Sequence, residues 1–246
     1  MRRRRTKRRR IKRWLLVSLA LTVGLLAVVC IFLWLLLAHV PWWYRPPHVP
    51  EAEYTRIRNE LLESVSDFGD RLVEGRPFEL TLTDRQISEW VAVRSEVWPE
   101  AEEWVPGFVQ GPMVVFEPRR LILAGRFDKS GWQAIASAHL TFKLAGDSIT
   151  VHLAEATCGS CPLPVSIIAD RLEPVLTAGG QDVDAMPDAL ADIVRFFRDQ
   201  GGIEYLTNGV TVDNRFHWQV SKRWFRIRDL VIERGRLRML IEPLSP

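Results

Sequence analysis

The segment LTFKLAGDSITVHL, residues 140–153, decides how most of this 246-residue chain folds. Gly146-Asp147 divides it into two alternating runs, and Gly in the first position is typical of a two-residue type II′ turn. That turn places Lys143 opposite Thr150 on a polar face, while the apolar residues meet on the other face. One register therefore gives both strands an apolar side and a polar side, as a half-buried antiparallel sheet requires. The apolar pairs are Leu144–Ile149, Phe142–Val151 and Leu140–Leu153.

Further strand patterns lie on both sides of this hairpin. Pro118 occupies a type I turn position between two short apolar runs, and Arg234-Gly235 forms a tight turn near the C-terminus. Antiparallel strands joined by such short turns pair with their neighbours in sequence. The additional strands are expected at 78–83, 113–116, 121–127, 210–218, 225–233 and 237–242.

Four segments have the periodicity of helices. In the first, apolar residues recur at spacings of three and four, and Gly75 follows as a stop. Thr83 and Gln86 have the spacing of a capping box that opens the second. Residues 51–246 are therefore expected to form one α+β domain, in which a mostly antiparallel sheet is packed with helices. The expected helices are 51–74, 83–91, 165–175 and 190–197.

An apolar segment near the N-terminus, Trp14–Ala38, contains 25 residues and no charged side chain. A helix needs about 20 apolar residues to cross the ~30 Å hydrocarbon core of a bilayer, so this segment is long enough. No window after residue 40 approaches 18 apolar residues. We therefore expect a single transmembrane helix over 14–40.

The flanks of this span predict a retained anchor with its N-terminus in the cytoplasm. The apolar run is longer than that of a signal peptide, and Leu36 stands where a cleavage site needs a small residue. Ten Lys/Arg lie in residues 1–13 and one Arg lies in 41–50, and basic flanks stay cytoplasmic. We expect 1–13 to be a cytoplasmic tail that contacts anionic lipid head groups of the cell (inner) membrane.

Residues 41–50 connect the span to the domain and contain four Pro. Such a segment is expected to be a stiff, extended spacer that lifts the domain away from the membrane surface. Trp42, Trp43 and Tyr44 at its start are typical of an interfacial aromatic belt. Residues 51–246 are then an extracytoplasmic domain.

The basic arm dominates the charge of the whole chain. The formal net charge is +3, and ten of the 33 Lys/Arg lie in residues 1–13. The rest of the chain has 23 Lys/Arg against 30 Asp/Glu, a balance of −7. Because the arm contains no aromatic residues for base stacking, no nucleic-acid partner is expected.

Cys158 and Cys161, in the segment CGSC, form the one motif with a reactive meaning. A CxxC pair serves as a redox dithiol when the first thiolate is stabilised at a helix start, typically in a thioredoxin-like βαβ setting. Here the pair follows an antiparallel hairpin and precedes Pro162 and Pro164, which favours a loop disulfide or two free thiols. Cys30 lies within the apolar run and lacks the small residue that a lipoprotein site needs before it.

The other polar clusters are interpreted as surface features. In the predicted register His139 faces Ala154 and lies diagonal to His152, but two imidazoles without a third ligand do not form a metal site. Three Asp in 182–188 lie where acids cap a helix start, and three Glu in 100–103 are typical of a solvated face. No catalytic residue, cofactor or metal ligand is therefore expected.

Three segments carry a resemblance to a known family: FELTLTDRQISEW at 78–90, VVFEPRRLILAGRF at 114–127 and FRIRDLVIERGRLRMLIEPL at 225–244. Together with the basic N-terminus and the single span, this layout resembles the YpmS-like family of small single-span bacterial proteins. The strand–Gly–strand ending is also similar to that of membrane-associated lipid-handling domains. The resemblance implies a membrane-anchored protein and no catalytic residue.

These observations predict a non-enzymatic, membrane-anchored accessory domain that binds a lipid or a partner protein of the cell envelope. The many Trp residues of the domain either fill its core or line an apolar groove for such a ligand. Two alternatives stay open. One is a membrane-tethered thiol-disulfide oxidoreductase that uses Cys158 and Cys161, and the other is a scaffold subunit of a membrane complex.

Overall fold

A computed structural model describes residues 3–97, 109–129, 132–164 and 209–244 of the chain. The helices are α1 (Arg3–Ala38), α2 (Glu51–Glu74), α3 (Asp84–Ala92) and α4 (Arg94–Val97). The strands are β1 (Phe78–Thr83), β2 (Val109–Glu117), β3 (Arg120–Lys129), β4 (Trp132–Ala145), β5 (Ser148–Cys158), β6 (Cys161–Pro162), β7 (Val210–Asp213), β8 (Phe216–Trp218), β9 (Arg223–Glu233) and β10 (Arg236–Leu244).

The described strands form two antiparallel sheets. The small sheet has the order β1-β10-β9-β8, and the large sheet has the order β2-β3-β4-β5-β6, with β7 also paired to β5. The predicted α+β class with antiparallel sheets packed with helices is confirmed. The single strand expected at 210–218 is instead two strands, β7 and β8. They belong to different sheets, and Asn214 and Arg215 between them belong to neither strand. The helices expected at 165–175 and 190–197 lie outside the described residues.

Part of helix α1 is the one stretch of helix among the described residues that is long and apolar enough to cross a membrane. This stretch, Ser18–Ala38, has a mean hydropathy of 2.8, and the domain buries none of it. Its apolar side chains are therefore exposed, as those of a membrane span or of a signal sequence would be.

Helix α2 covers one end of the small sheet. It begins and ends at the predicted residues, and the N–H of Gly75 closes it by donating to the carbonyl of Leu72 with a left-handed φ of 72°. Phe68 and Leu72 pack on Ile241 together with the aromatic rings of Phe78, Trp218 and Phe225. This burial of apolar area, worth about 25 cal/mol per Å2, holds the helix on the sheet.

Helix α3 protects the edge of the large sheet. The predicted capping box is present, with the Thr83 hydroxyl accepting from the N–H of Gln86. One turn later the buried hydroxyl of Ser88 accepts from the N–H of Val114 at 3.0 Å and donates to its carbonyl at 3.1 Å. Ser88 thus takes the place of a neighbouring strand, and these two groups of β2 are not open to edge-to-edge pairing.

The hairpin of β4 and β5 has the predicted turn and the predicted register from Leu144–Ile149 to Leu140–Leu153. Beyond that point Ala154 is an extra residue, so that His139 pairs with Glu155. The prediction that His139 faces Ala154 is therefore wrong, because an unbroken ladder was assumed and a β-bulge interrupts it.

Candidate functional site

Two tight turns of the same backbone type lie at the two ends of β5. The distal turn, Gly146-Asp147, precedes the strand, and the proximal turn, Gly159-Ser160, follows it. Gly146 and Gly159 have φ values of 59° and 60°. The 11 residues of β5 separate the turns by about 35 Å at ~3.3 Å per residue, so the turns mark opposite ends of the large sheet.

The proximal turn is built onto the end of α1. The N–H of Ser160 donates to the carbonyl of Leu36 at 2.9 Å, and its hydroxyl lies 2.6 Å from Nδ1 of His39. The last carbonyls of a helix have no partner within the helix, so Ser160 satisfies one of them. The apolar helix and the sheet are therefore in direct hydrogen-bonded contact.

Gly159 allows this close approach. A Cβ at this position would collide with the carbonyl oxygen of Leu36 and lie 2.6 Å from that of Leu37. Its N–H donates to the carbonyl of Ile135 at 2.7 Å, which fixes the turn on β4. The contact thus depends on the absence of a side chain at one residue.

Tyr44 extends the contact between the helix end and the large sheet. It is only 5% exposed and packs with Met113, Ala124 and Ile135, and its hydroxyl donates to the carbonyl of Gly111 at 2.8 Å. Burial raises the pKa of Tyr44 above its usual value.

The structure therefore differs from two expectations for 41–50. Tyr44 is a core residue of the domain and not part of an exposed belt, and the segment lies against the sheet where a free spacer was expected. Trp42, by contrast, is 81% exposed next to the end of α1, as an interfacial side chain would be.

Cys158 and Cys161 are direct cross-strand partners on either side of the proximal turn, and both thiols are free. Cys158 is buried, and this burial, followed by the charge of Cys161, raises the pKa of the Cys158 thiol. A redox dithiol needs the opposite, a thiolate stabilised at a helix start. The raised pKa of Cys158 and its place in a hairpin therefore argue against thiol exchange.

A buried polar row crosses the large sheet near the β-bulge. Nε2 of His139 lies 3.2 Å from the hydroxyl of Ser137, which lies 2.8 Å from the hydroxyl of Thr157. Nδ1 of His139 is buried without a hydrogen-bond partner and lies 3.9 Å from a carboxylate oxygen of Glu155. Burial lowers the pKa of His139.

The order Ser–His–Glu in this row is that of a catalytic triad. Ser137 is however only 6% exposed and already shares its hydroxyl with Thr157, so it offers no open face to a carbonyl carbon. The sequence did not point to this row, because the bulge at Ala154 brings Glu155 opposite His139. We interpret the row as a polar network within the sheet.

No described part of the chain groups three or more His, Cys, Asp or Glu side chains as a metal site would. The Asp residues in 182–188 and the Glu residues in 100–103 lie outside the described residues.

Asn214 fastens the distal turn to the small sheet. Its side chain is fully buried, and Nδ2 donates to the carbonyls of Gly146 at 3.0 Å and Ile227 at 2.7 Å. Its Oδ1 accepts from the N–H of Ile227 at 2.9 Å, and its own N–H donates to the carbonyl of Asp147. One amide side chain thus joins the hairpin of the large sheet to β9.

A cleft of about 410 Å3 opens beside this junction. Arg226 closes one side, where its guanidinium pairs with Glu242 at 2.7 Å and with Asp147 at 3.4 Å. Arg228, the extra residue of a β-bulge in β9, is exposed and makes no ion pair with a described residue. The cleft is lined by Leu144, Gly146, Arg226, Ile227, Arg228 and Asp229.

More cations and an exposed aromatic pair lie on β8, on β9 and in the turn between them. Trp224, 44% exposed, lies against His217 with ring centroids 4.9 Å apart and ring planes tilted by 48°. Three further cations make no ion pair with a described residue: Arg215, Lys222 and Arg223. Sequence analysis missed this surface, because the charge was weighed over the body as a whole, which is acidic, and the local excess of Lys/Arg in 213–229 was not considered.

Comparison with known proteins adds no relative: no protein family, curated protein or solved structure matches this chain. The resemblance to the YpmS-like family stays a prediction.

Proposed function

We propose that this chain is a membrane-anchored accessory domain that binds a lipid or a partner protein of the cell envelope and catalyses no reaction. Its N-terminus is cytoplasmic and its domain is extracytoplasmic, as the ten basic residues of 1–13 favour. The single observation that carries the proposal is the hydrogen bond between Ser160 and Leu36. Cleavage after the apolar run would remove this partner from the domain, so the contact supports a retained anchor.

The anchor is tested on the full-length chain in its native membrane. Alkaline carbonate should leave the protein in the membrane, and mass spectrometry of the purified chain should find the residues of 14–40 still attached. Protease added outside intact cells should degrade the domain and spare the basic arm. A mature chain that begins after residue 38 would overturn the anchor.

Ligand binding is tested by native mass spectrometry of the full-length chain in mild detergent. A domain without 41–50 is unsuitable, because Tyr44 belongs to its core. Lipid that stays bound after delipidation supports the lipid version, and a stoichiometric partner recovered by crosslinking in membranes supports the partner version. A chain that retains neither contradicts the proposal.

A second candidate, the thiol-disulfide oxidoreductase, is favoured by the cross-strand position of Cys158 and Cys161 and opposed by the raised pKa of Cys158. Thiol titration at pH 7 separates the two. An oxidoreductase would have one fast-reacting thiol, and a structural pair would have none. Loss of reductase activity in C158S and in C161S would be needed to support the enzyme.

A further inference from the structure

We propose that the distal end of the domain binds an anionic polysaccharide of the cell envelope. The surface, here called the distal patch, consists of Arg215, His217, Lys222, Trp224 and Arg228. This inference rests on the proposed function in one respect, because it requires the domain to face the outside of the membrane.

The charge of the distal patch is unbalanced. Residues 213–229 contain five Lys/Arg and two Asp, whereas the chain outside the basic arm has a balance of −7. Of these five cations only Arg226 is paired with described carboxylates. Of the two acids, Asp229 is partly engaged, accepting from the N–H of Leu230. Three cations of the patch, Arg215, Lys222 and Arg228, make no ion pair with a described residue, and such an excess of positive charge favours an anionic partner.

The aromatic pair selects among anionic partners. Trp224 presents a flat apolar surface of the kind on which the C–H face of a sugar ring packs, and its cross-strand neighbour His217 lies beside it with the ring planes tilted by 48°. The cleft of about 410 Å3, lined by Arg226 and Arg228, lies within the size range of small-ligand sites. A polymer with a sugar ring for Trp224 and an acid group for Arg228 uses both features.

The position of the patch excludes the lipid of the anchoring membrane. Asn214 and Arg226 tie the patch to the distal turn, about 35 Å from the proximal turn that holds α1. Charges in physiological salt are screened beyond about 8 Å. The distal patch therefore faces whatever lies beyond the membrane surface.

The test measures binding by the full-length chain in detergent micelles. In every chain the ten Lys/Arg of 1–13 are replaced by Gln, so that the arm does not bind the polyanion. The probe is polygalacturonate, which carries one carboxylate on each sugar. We expect binding that weakens with salt, a loss of affinity of about tenfold in R215Q/R228Q, and a several-fold loss in W224A.

Matched controls separate this site from a general charge effect. R45Q/R234Q removes two exposed arginines that make no ion pair with a described residue, and affinity should stay within about twofold. Neutral dextran should not bind, and W224A should leave the weaker binding of polyglutamate unchanged.

Three outcomes would overturn the proposal: no binding of polygalacturonate, an equal loss in R45Q/R234Q, or tighter binding of polyglutamate or single-stranded oligothymidine than of the glycan. Circular dichroism of each variant confirms folding. Carbonate extraction tests the membrane anchor separately. A failure of glycan binding would therefore not decide whether the proposed anchor is correct.

Discussion

Gly146 and Gly159 begin turns of the same kind at the two ends of β5, with φ values of 59° and 60°. Around Gly146 no atom lies within 4 Å of the place where a Cβ would stand. At Gly159 that place is occupied by the backbone carbonyls of Leu36 and Leu37. The local conformation is the same, and the surroundings are opposite.

The difference teaches what each end of the domain depends on. The proximal end is held by backbone contacts that tolerate no side chain, so its requirement is steric. The distal end is held by the amide of Asn214 and the ion pairs of Arg226, and beside its cleft Arg228 makes no ion pair with a described residue. One end is therefore suited to rigid attachment and the other to a polar ligand.

The largest effect is expected from the paired substitutions G159A and G146A. A side chain at φ near +60° costs about 1–2 kcal/mol at either position. At Gly159 the collision with the end of α1 adds overpacking, for a total of about 3–5 kcal/mol. Thermal unfolding of the full chain in micelles, followed by near-ultraviolet circular dichroism, measures both.

Equal losses in the two variants would break this comparison, because they would show that the helix end does not press on Gly159. A larger loss in G159A than in G146A would sharpen it into a test of the anchor, since only a chain that retains 36–37 has the collision.

A somewhat smaller loss, about 2–4 kcal/mol, is expected for N214A. The substitution removes the hydrogen-bond partner of both the N–H and the carbonyl of Ile227 in a part-buried junction, and each such group costs about 1–3 kcal/mol. The matched control is D213A, an exposed neighbour that should change stability by less than about 0.5 kcal/mol. Urea unfolding compares the two, and a D213A effect as large as that of N214A would contradict the account.

The smallest effect is a pH dependence at the proximal end. Burial raises the pKa of Cys158 in the folded protein, so above about pH 8.5 the unfolded thiol loses its proton first. The contribution of Cys158 is fully present below that pH and is lost as the pH rises towards the folded pKa. Melting temperatures of the reduced chain should therefore fall between pH 8.5 and 10.

C158S should remove this fall, whereas C30S, which changes a thiol within the apolar helix, should keep it. A flat profile in the wild-type chain would show that the proximal turn is open to solvent.

Local pattern was enough to predict much of the fold. Alternation around Gly146-Asp147 gave the register of β4 and β5, and a period near 3.6 followed by Gly75 gave α2 to the residue. Both signals arise within one element or one hairpin, where side-chain period and turn chemistry are local properties. The signal failed at Ala154, since nothing in the alternation marks a bulge.

The candidate sites were largely beyond sequence reasoning. The segment CGSC was singled out for its thiols, and its glycine turned out to matter for the contact with Leu36. Trp224 and Arg228 lie on a strand whose alternation only indicated a sheet, and His217 is placed beside Trp224 by the pairing of β8 with β9. The contact of Gly159 with Leu36 joins residues far apart in the chain, which local pattern does not reveal.

The sequence by itself determined an apolar N-terminal helix, a basic arm and an antiparallel α+β domain, because hydropathy, charge and side-chain period are properties of neighbouring residues. The tertiary structure alone decided that the helix end is docked on a glycine turn, that Tyr44 belongs to the core, and that Asn214 joins the distal turn to β9 at the opposite end. Each of these requires two distant segments to occupy the same space, and excluded volume and burial act only after the chain has folded.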